Sequence, residues 1–460
     1  MKLPEPVHFV GISGIGMSAL ARILLQRGCR VQGSSDRWTA LTERLAGEGA
    51  RVMVGHAAIN LGDARTVVAS SAIAAGNPEL VAARAAGHTI LRRGELLAAL
   101  FNEQRGIAIA GTHGKTTTTA MVATVLEAAG CDPTLALGGE RVDTGTNARV
   151  GAGAWFVTES DESDGSFLEL RPRVAVVTNV ENDHISSDDE LPALVGAFEQ
   201  FLASLPPDGL AIVGADEKRS AALARRPRAA RTMTFGLGSA DLTAREIVHA
   251  DFGTRFAVLR NGATLGTARL PVPGTINVLD SLPAIAVGLE LGIPFETIAR
   301  ALATFAGVRR RFEFVARTPR MSVVDDYAHH PTAVELTIAA ARANFSGPIV
   351  VAFQPHRYSR TKYLAAGFAR ALKGADDVVI TDVYAASESP IPGIDARAIG
   401  EPLRANGAAV TYMPNSDDLP AYLLESAPAG ALVLMLGAGS ITRAAARLAE
   451  LVGAAEVAHR

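Results

Sequence analysis

Apolar runs of strand length alternate with Ala- and Leu-rich helical stretches along almost the whole chain, and three times the alternation restarts with a strand, a turn and a helix. Parallel strands need long crossover connections, which helices supply, so this pattern predicts α/β units built on mainly parallel sheets. The first restart is Val7–Val10, then GISGIGM, then a helix through Leu25. The second is Ile107–Ala110, then GTHGKT, then a helix through Ala129. The third opens at Met321–Val324 and continues through strands at Pro348–Phe353, Asp377–Thr381 and Ala431–Leu436. Boundaries near 100 and 308 follow, giving units 1–100, 101–308 and 309–460. Residues 240–272 break the pattern. Their alternating segments and the Asn261-Gly262 turn signal predict antiparallel strands appended to the middle unit.

With 460 residues, 48% hydrophobic and 20% charged, the chain can bury several cores. A net charge of −3 and 5% aromatics argue against a nucleic-acid partner or an anionic membrane surface. Two cysteines, Cys29 and Cys131, cannot make a disulfide framework. That count, a start without a long apolar run and the lack of any stretch near the roughly 20 apolar residues of a membrane span predict a cytoplasmic setting.

Gly111–Thr116, GTHGKT, carries the sharpest chemistry. A glycine-rich turn between a buried strand and a helix N-terminus presents backbone N–H groups to an anion. Gly111, Thr112, His113, Gly114 and Thr117 would form that cradle, with Lys115 on the outer phosphates and the Thr116 hydroxyl on Mg²⁺. The form is shorter than the full phosphate-loop pattern, because Ile109 stands where its first glycine would be. Only five of the 44 basic residues are lysines, so a lysine in this loop is not background.

Other segments are weaker alone. In GISGIG, Gly11, Gly14 and Gly16 permit a tight turn, and Asp36 follows Gly16 by 20 residues, but Ser13 breaks the dinucleotide fingerprint. A nicotinamide site, another nucleotide site and a structural turn all stay open there. TESDESDGSF places Glu159, Asp161, Glu162 and Asp164 after a strand-like run, as Mg²⁺ ligation opposite a phosphate loop requires. VENDH puts His184 at another strand end. DDYAHHP (Asp325, Asp326, His329, His330), QPHRYSRT (His356, Arg357, Arg360) and DVYAASESP end three further strands and predict one lined crevice. The Arg pair suits a carboxylate or phosphate.

Together GISGIGM, GTHGKTTTT, ESDESDGSF, GVRRRFE, DDYAHHP, QPHRYSRT and DVYAASESPIPG resemble the Mur ligases, in order and over essentially the whole chain. The last three resemble the alanine-adding branch in particular. The resemblance implies three α/β domains: a Rossmann-like N-terminal domain for a UDP-sugar, a P-loop-type central ATPase domain, and a Rossmann-like C-terminal domain contacting ATP and an amino acid. It implies ATP-dependent joining of L-alanine to UDP-N-acetylmuramate through an acyl phosphate, in peptidoglycan precursor synthesis, by a monomer or homodimer. On its terms Lys115 holds the outer phosphates, Thr116 and Glu159 bind one Mg²⁺, and His184 contacts a second. Arg311, Asp326 and Asn277 fall on the ATP side, and His329, Arg357 and Arg360 lie near the reacting groups and the amino acid. Gly14, Gly16, Asp36 and Asn147 belong to the UDP-sugar.

Several positions depart from the family pattern. Ser13 replaces a usual Gly, Ile276 a frequent His, Asp280 a frequent Asn, and Ile185-Ser186 a hydrophobic–Asp pair. No lysine lies between Lys115 and Lys218, so the carbamylated lysine of some relatives does not transfer. The nearest alternative is the same chemistry with a preformed tripeptide, as in murein recycling. A nicotinamide-dependent oxidoreductase and a non-catalytic nucleotide-binding regulator are the alternatives of other classes.

Overall fold

Each restart opens its own sheet. The computed structural model describes residues 3–162, 165–181, 191–405 and 407–458. The first sheet contains β1 (Val7–Val10), β2 (Val31–Ser35), β3 (Arg51–Val54), β4 (Thr66–Ala69) and β5 (Thr89–Arg92). Its order is β3-β2-β1-β4-β5, and all pairs are parallel. β1 is VHFV with every residue buried, the continuous run expected of a strand covered on both faces. The turn after β1 leads into the helix Ile15–Gln26 at the point where the strand order reverses, which is where open α/β sheets bind ligands.

The middle sheet has ten strands. They are β6 (Arg105–Ala110), β7 (Thr134–Ala136), β8 (Ala148–Arg149), β9 (Trp155–Glu159), β10 (Pro172–Val177), β11 (Leu210–Gly214), β12 (Arg231–Gly236), β13 (Leu242–Ala250), β14 (Gly253–Arg260) and β15 (Ala263–Leu270). Their order is β15-β14-β13-β12-β11-β10-β6-β9-β7-β8. β13, β14 and β15 form the expected antiparallel extension. Asn261 and Gly262, at φ +50° and +82°, make its tight turn. β6 lies between β10 and β9, so the loop leaving β6 is flanked by both their C-terminal ends.

The third sheet contains β16 (Glu313–Arg317), β17 (Met321–Asp326), β18 (Ile349–Phe353), β19 (Asp377–Ile380), β20 (Ala409–Tyr412) and β21 (Ala431–Leu436). Its order is β16-β17-β21-β18-β19-β20. The late strand β21 inserts between β17 and β18, because its wholly apolar ALVLML run is buried only at the sheet centre.

The first two sheets share a core. One apolar cluster runs from Phe9, Leu20 and Phe101 through Phe156 and Phe167 to Phe198 and Phe201. Burying each such phenylalanine contributes on the order of 1.5–3 kcal/mol. A polar pin crosses the same junction. Arg22, 1% exposed, donates from Nε and Nη2 to Glu48 and from Nη1 to Asn147 Oδ1 at 2.5 Å. Asn147 Nδ2 returns hydrogen bonds to the Ile15 carbonyl at 2.7 Å and Ser18 Oγ at 2.9 Å. Among the described residues no helix is long and apolar enough to cross a membrane.

Candidate active site

A cleft of about 1070 Å³ lies where the three sheets meet. The first sheet lends it Gly14 and Gly16, the middle one Thr112–Thr117, Glu159 and Asn277, and the third Arg311 and Asp325–His330.

The loop after β6 is built for close approach. Gly111 and Gly114 have φ of +130° and +82°, and a Cβ at either would collide, with the Thr178 hydroxyl and the Asp280 carboxyl respectively. The chain beyond β10 holds the loop's backbone. His113 N donates to Asn179 Oδ1 at 2.9 Å, and its carbonyl accepts from Thr178 Oγ1 at 2.6 Å. Glu181 N donates to Thr112 Oγ1 at 2.8 Å. The helix Lys115–Ala128 then starts with its N-terminus aimed into the cleft, a favourable end for phosphate.

The Lys115 ammonium donates to the Glu162 carboxylate at 3.0 and 3.1 Å and to the Gly111 and Thr112 carbonyls. Burial pulls this lysine down, but Glu162, Asp161 and Glu159 outweigh it and hold it above the ordinary lysine range. It is therefore a fixed cation. Thr116 Oγ1 donates to Glu159 Oε2 at 2.7 Å, and the other Glu159 oxygen accepts from Gly138 N. Hydroxyl and carboxylate oxygens side by side at a phosphate loop are hard donors that fit Mg²⁺.

The third sheet closes over this group. Arg311 Nη2 reaches Thr116 Oγ1 at 3.4 Å and stacks on the Tyr327 ring. Asp326 accepts from Phe312 N and Ala328 N, both at 2.7 Å, and so fixes the two turns that carry Arg311 and His329. Burial pushes the Asp326 carboxyl up to about 6, against the opposing pull of Arg311 and the two amides. Asp280 lies against Gly114, and burial raises it well above the carboxylate range despite Arg311.

Other residues singled out in the sequence stand elsewhere. Asn147 is fully buried, bonded to Arg22 across the junction of the first two domains, and is not part of the cleft lining. Its nearly invisible signal is the complementary buried Arg, 125 residues away. Asp36 is 87% exposed, pairs with His56 at 3.1 Å and is not part of the lining. Arg357 and Arg360 are not part of the lining; Arg360 Nη1 lies 3.2 Å from His356 Nδ1, whose ring packs against that of His329 in the lining. Arg357, at φ +70°, heads the helix Tyr358–Ala371 and donates N–H to the Tyr384 carbonyl at 2.8 Å. His184 and Asp164 lie outside the described residues. Sequence reasoning missed Glu162 as the lysine's partner, the Asp280–Gly114 contact and the grouping of His113 with Glu181 and His330. Only the acidic run around Glu162 carried a signal.

Comparison with known proteins agrees with this layout. Residues 6–105 match the Mur ligase family catalytic domain, 109–288 the Mur ligase middle domain and 310–439 the Mur ligase glutamate ligase domain. The UDP-N-acetylmuramate–L-alanine ligase of Syntrophotalea carbinolica is 45% identical over 446 residues, 96% of this chain and 97% of its own. The protein of that name from Acidithiobacillus ferrooxidans (strain ATCC 53993) is 46% identical over 454 residues, 97% of this chain and 98% of its own. The crystal structure of the UDP-N-acetylmuramate–alanine ligase of Thermotoga maritima superposes with a TM-score of 0.86 at 32% identity, covering 98% of this chain and 99% of its own. A murein peptide ligase from Psychrobacter arcticus gives a TM-score of 0.73 at 25% identity, covering 97% and 98%. With three domain matches in order and full-length relatives near 45% identity, the chain belongs to the Mur ligase family.

Proposed function

We propose that this chain is the ATP-dependent ligase that joins L-alanine to the carboxylate of UDP-N-acetylmuramate. The observation that carries this reading is the shared cleft, in which the Lys115 loop faces the Gly14–Gly16 turn on one side and Arg311, Asp326 and His329 on the other. The likeness to two full-length alanine ligases selects alanine as the amine.

A carboxylate is a poor electrophile. Transfer of the ATP γ-phosphoryl group onto it gives an acyl phosphate, and attack by the alanine amine then expels phosphate through a tetrahedral intermediate. Catalysis of this kind rests on positioning and on neutralising charge. The Gly111–Thr117 loop cradles the phosphates, and Lys115 neutralises the group being transferred. Arg311 adds a second cation from the opposite wall, held by Asp326. Thr116 and Glu159 are the residues that would hold Mg²⁺, which when bound screens the charge of the triphosphate. Gly14 and Gly16 let the first domain's backbone approach the diphosphate of the UDP-sugar. Arg357 and Arg360 are the cations for the alanine carboxylate. In this reading residues 1–100 bind the UDP-sugar, 101–308 bind ATP and 309–460 complete the ATP and amino-acid sites.

Phosphate release measured with each substrate omitted in turn tests the assignment. Release that needs ATP, UDP-N-acetylmuramate and L-alanine together supports it. Release without alanine, or faster release with a tripeptide in its place, contradicts it.

A further inference from the structure

Beside the phosphate loop, three segments far apart in sequence bring together two imidazoles and a carboxylate. His113 lies in the loop after β6, Glu181 follows β10, and His330 caps the helix Pro331–Asn344 of the third domain. Their ligand atoms all lie within 4.8 Å of one another. His113 Nε2 is 3.5 Å from Glu181 Oε2, and the two imidazole centroids are 5.0 Å apart. His113 and Glu181 are partly buried, and His330 is 6% exposed. Thr332, two residues past His330, donates from its hydroxyl to Glu181 Oε2 at 2.9 Å, so the carboxylate already bridges the middle and third domains.

We infer that His113, Glu181 and His330 form a site for a borderline divalent cation such as Zn²⁺ or Co²⁺, bridging the phosphate loop and the third domain. Two imidazoles and one carboxylate are a ligand set that Zn²⁺ accepts with a fourth position left open. Bonds of about 2.0–2.1 Å put tetrahedral ligand atoms roughly 3.3 Å apart. The His113–Glu181 pair, at 3.5 Å, is near that spacing, and a His330 ring nitrogen lies within 4.8 Å of both. Burial pushes the Glu181 carboxyl up, but His113, the Thr332 hydroxyl and His330 outweigh it and keep the group below the ordinary carboxylate range. One carboxylate and two imidazole nitrogens are a donor set that suits a doubly charged ion. Imidazole nitrogen selects against Mg²⁺, which takes oxygen donors such as those of Thr116 and Glu159. This cation therefore occupies a place separate from the phosphates' own metal. Its bonds would tie the loop to the third domain and hold the two together without nucleotide.

Co²⁺ is the probe, because its visible absorption reports coordination. The untagged, nucleotide-free full chain is titrated with Co²⁺ in excess Mg²⁺. The expected result is one Co²⁺ per chain with an intense four- or five-coordinate band, displaced by Zn²⁺, and a rise in melting temperature with Zn²⁺. His113→Gln, Glu181→Gln and His330→Gln should each weaken binding at least tenfold and remove the band. Circular dichroism verifies that each variant is folded, and Thr332→Val, which keeps all three ligands, should retain the band. Cys29→Ser and Cys131→Ser should also leave it unchanged. Absence of Co²⁺ uptake above the Mg²⁺ background overturns the site. So does a band that persists in folded His113→Gln and His330→Gln, or one lost with either cysteine. None of these readouts depends on ligase turnover, so failure here leaves the proposed reaction standing.

Discussion

The Lys115 ammonium and the Glu162 carboxylate form a salt bridge of 3.0 Å at the mouth of the phosphate loop, with the Glu162 side chain only 2% exposed. Without nucleotide the lysine's charge is spent on this partner, and a bound triphosphate competes for it. Lys115→Ala should lower kcat by roughly 10²–10³-fold or more, since one charge-stabilising donor is worth that much. It also leaves Glu162 buried without its cation, so the melting temperature should fall. Phosphate-release kinetics and a thermal melt check both, and near-wild-type turnover would remove Lys115 from the mechanism.

Burial pushes the Asp326 carboxyl up to about 6, and it holds the Phe312 and Ala328 amides that set Arg311 and His329. Its carboxylate accepts both amides best when ionised, so kcat/KM should rise as pH passes upward through about 6. Asp326→Asn should lack that limb and be slower at pH 8. Stability carries the opposite sign: the folded carboxyl binds its proton more tightly than the unfolded one, so this group's contribution falls as pH rises from roughly 4 to 6. A pH–rate profile of both proteins, with urea midpoints alongside, decides the matter. An identical acidic limb in the variant would contradict the role.

Glu79 behaves in the reverse sense. It is fully buried, and although burial pushes it up, hydrogen bonds from His8, Ser34 and Asn60 bring its pKa down to about 2. The unfolded chain therefore binds more protons between about 4.5 and 2, and the stabilisation is complete above that window and lost as pH falls through it. The shift corresponds to roughly 3 kcal/mol. Glu79→Gln should lose about that much at neutral pH and show a flatter acid dependence of the urea midpoint. An unchanged midpoint at pH 7 would show that the network contributes nothing.

Asn147→Ala separates an interdomain pin from a ligand contact. Removing the amide strands the buried Arg22 Nη1, whereas the Ile15 carbonyl and Ser18 Oγ keep their bond to each other. A loss of about 1–3 kcal/mol for the stranded group is expected. Urea unfolding should shift markedly while KM for alanine stays put. Full stability with a large rise in KM for the UDP-sugar would return Asn147 to the ligand site.

What could be read from the sequence was contiguous in the sequence. GTHGKT names its own strand, glycines, lysine and helix within a dozen residues, and the structure places them in one loop. The hairpin at Asn261-Gly262 was equally legible, because turn chemistry is local. The insertion of β21 between β17 and β18 was not, since strand order depends on which apolar run fills the centre. The Arg22–Asn147 pin, the Asp280–Gly114 contact and the His113–Glu181–His330 group escaped for the same reason. Each joins segments far apart in the chain, and nothing in any one segment announces the others.

The path of one oxygen atom distinguishes activation of the sugar acid by phosphoryl transfer from any other route. UDP-N-acetylmuramate labelled with ¹⁸O in its carboxylate is turned over with ATP and L-alanine, and the released phosphate is examined by mass spectrometry. An acyl phosphate made at the Lys115 loop keeps one carboxylate oxygen on phosphorus when the amine expels it, so each phosphate should carry one labelled atom. Phosphate released during amide formation without the label would contradict activation of the sugar acid by phosphoryl transfer.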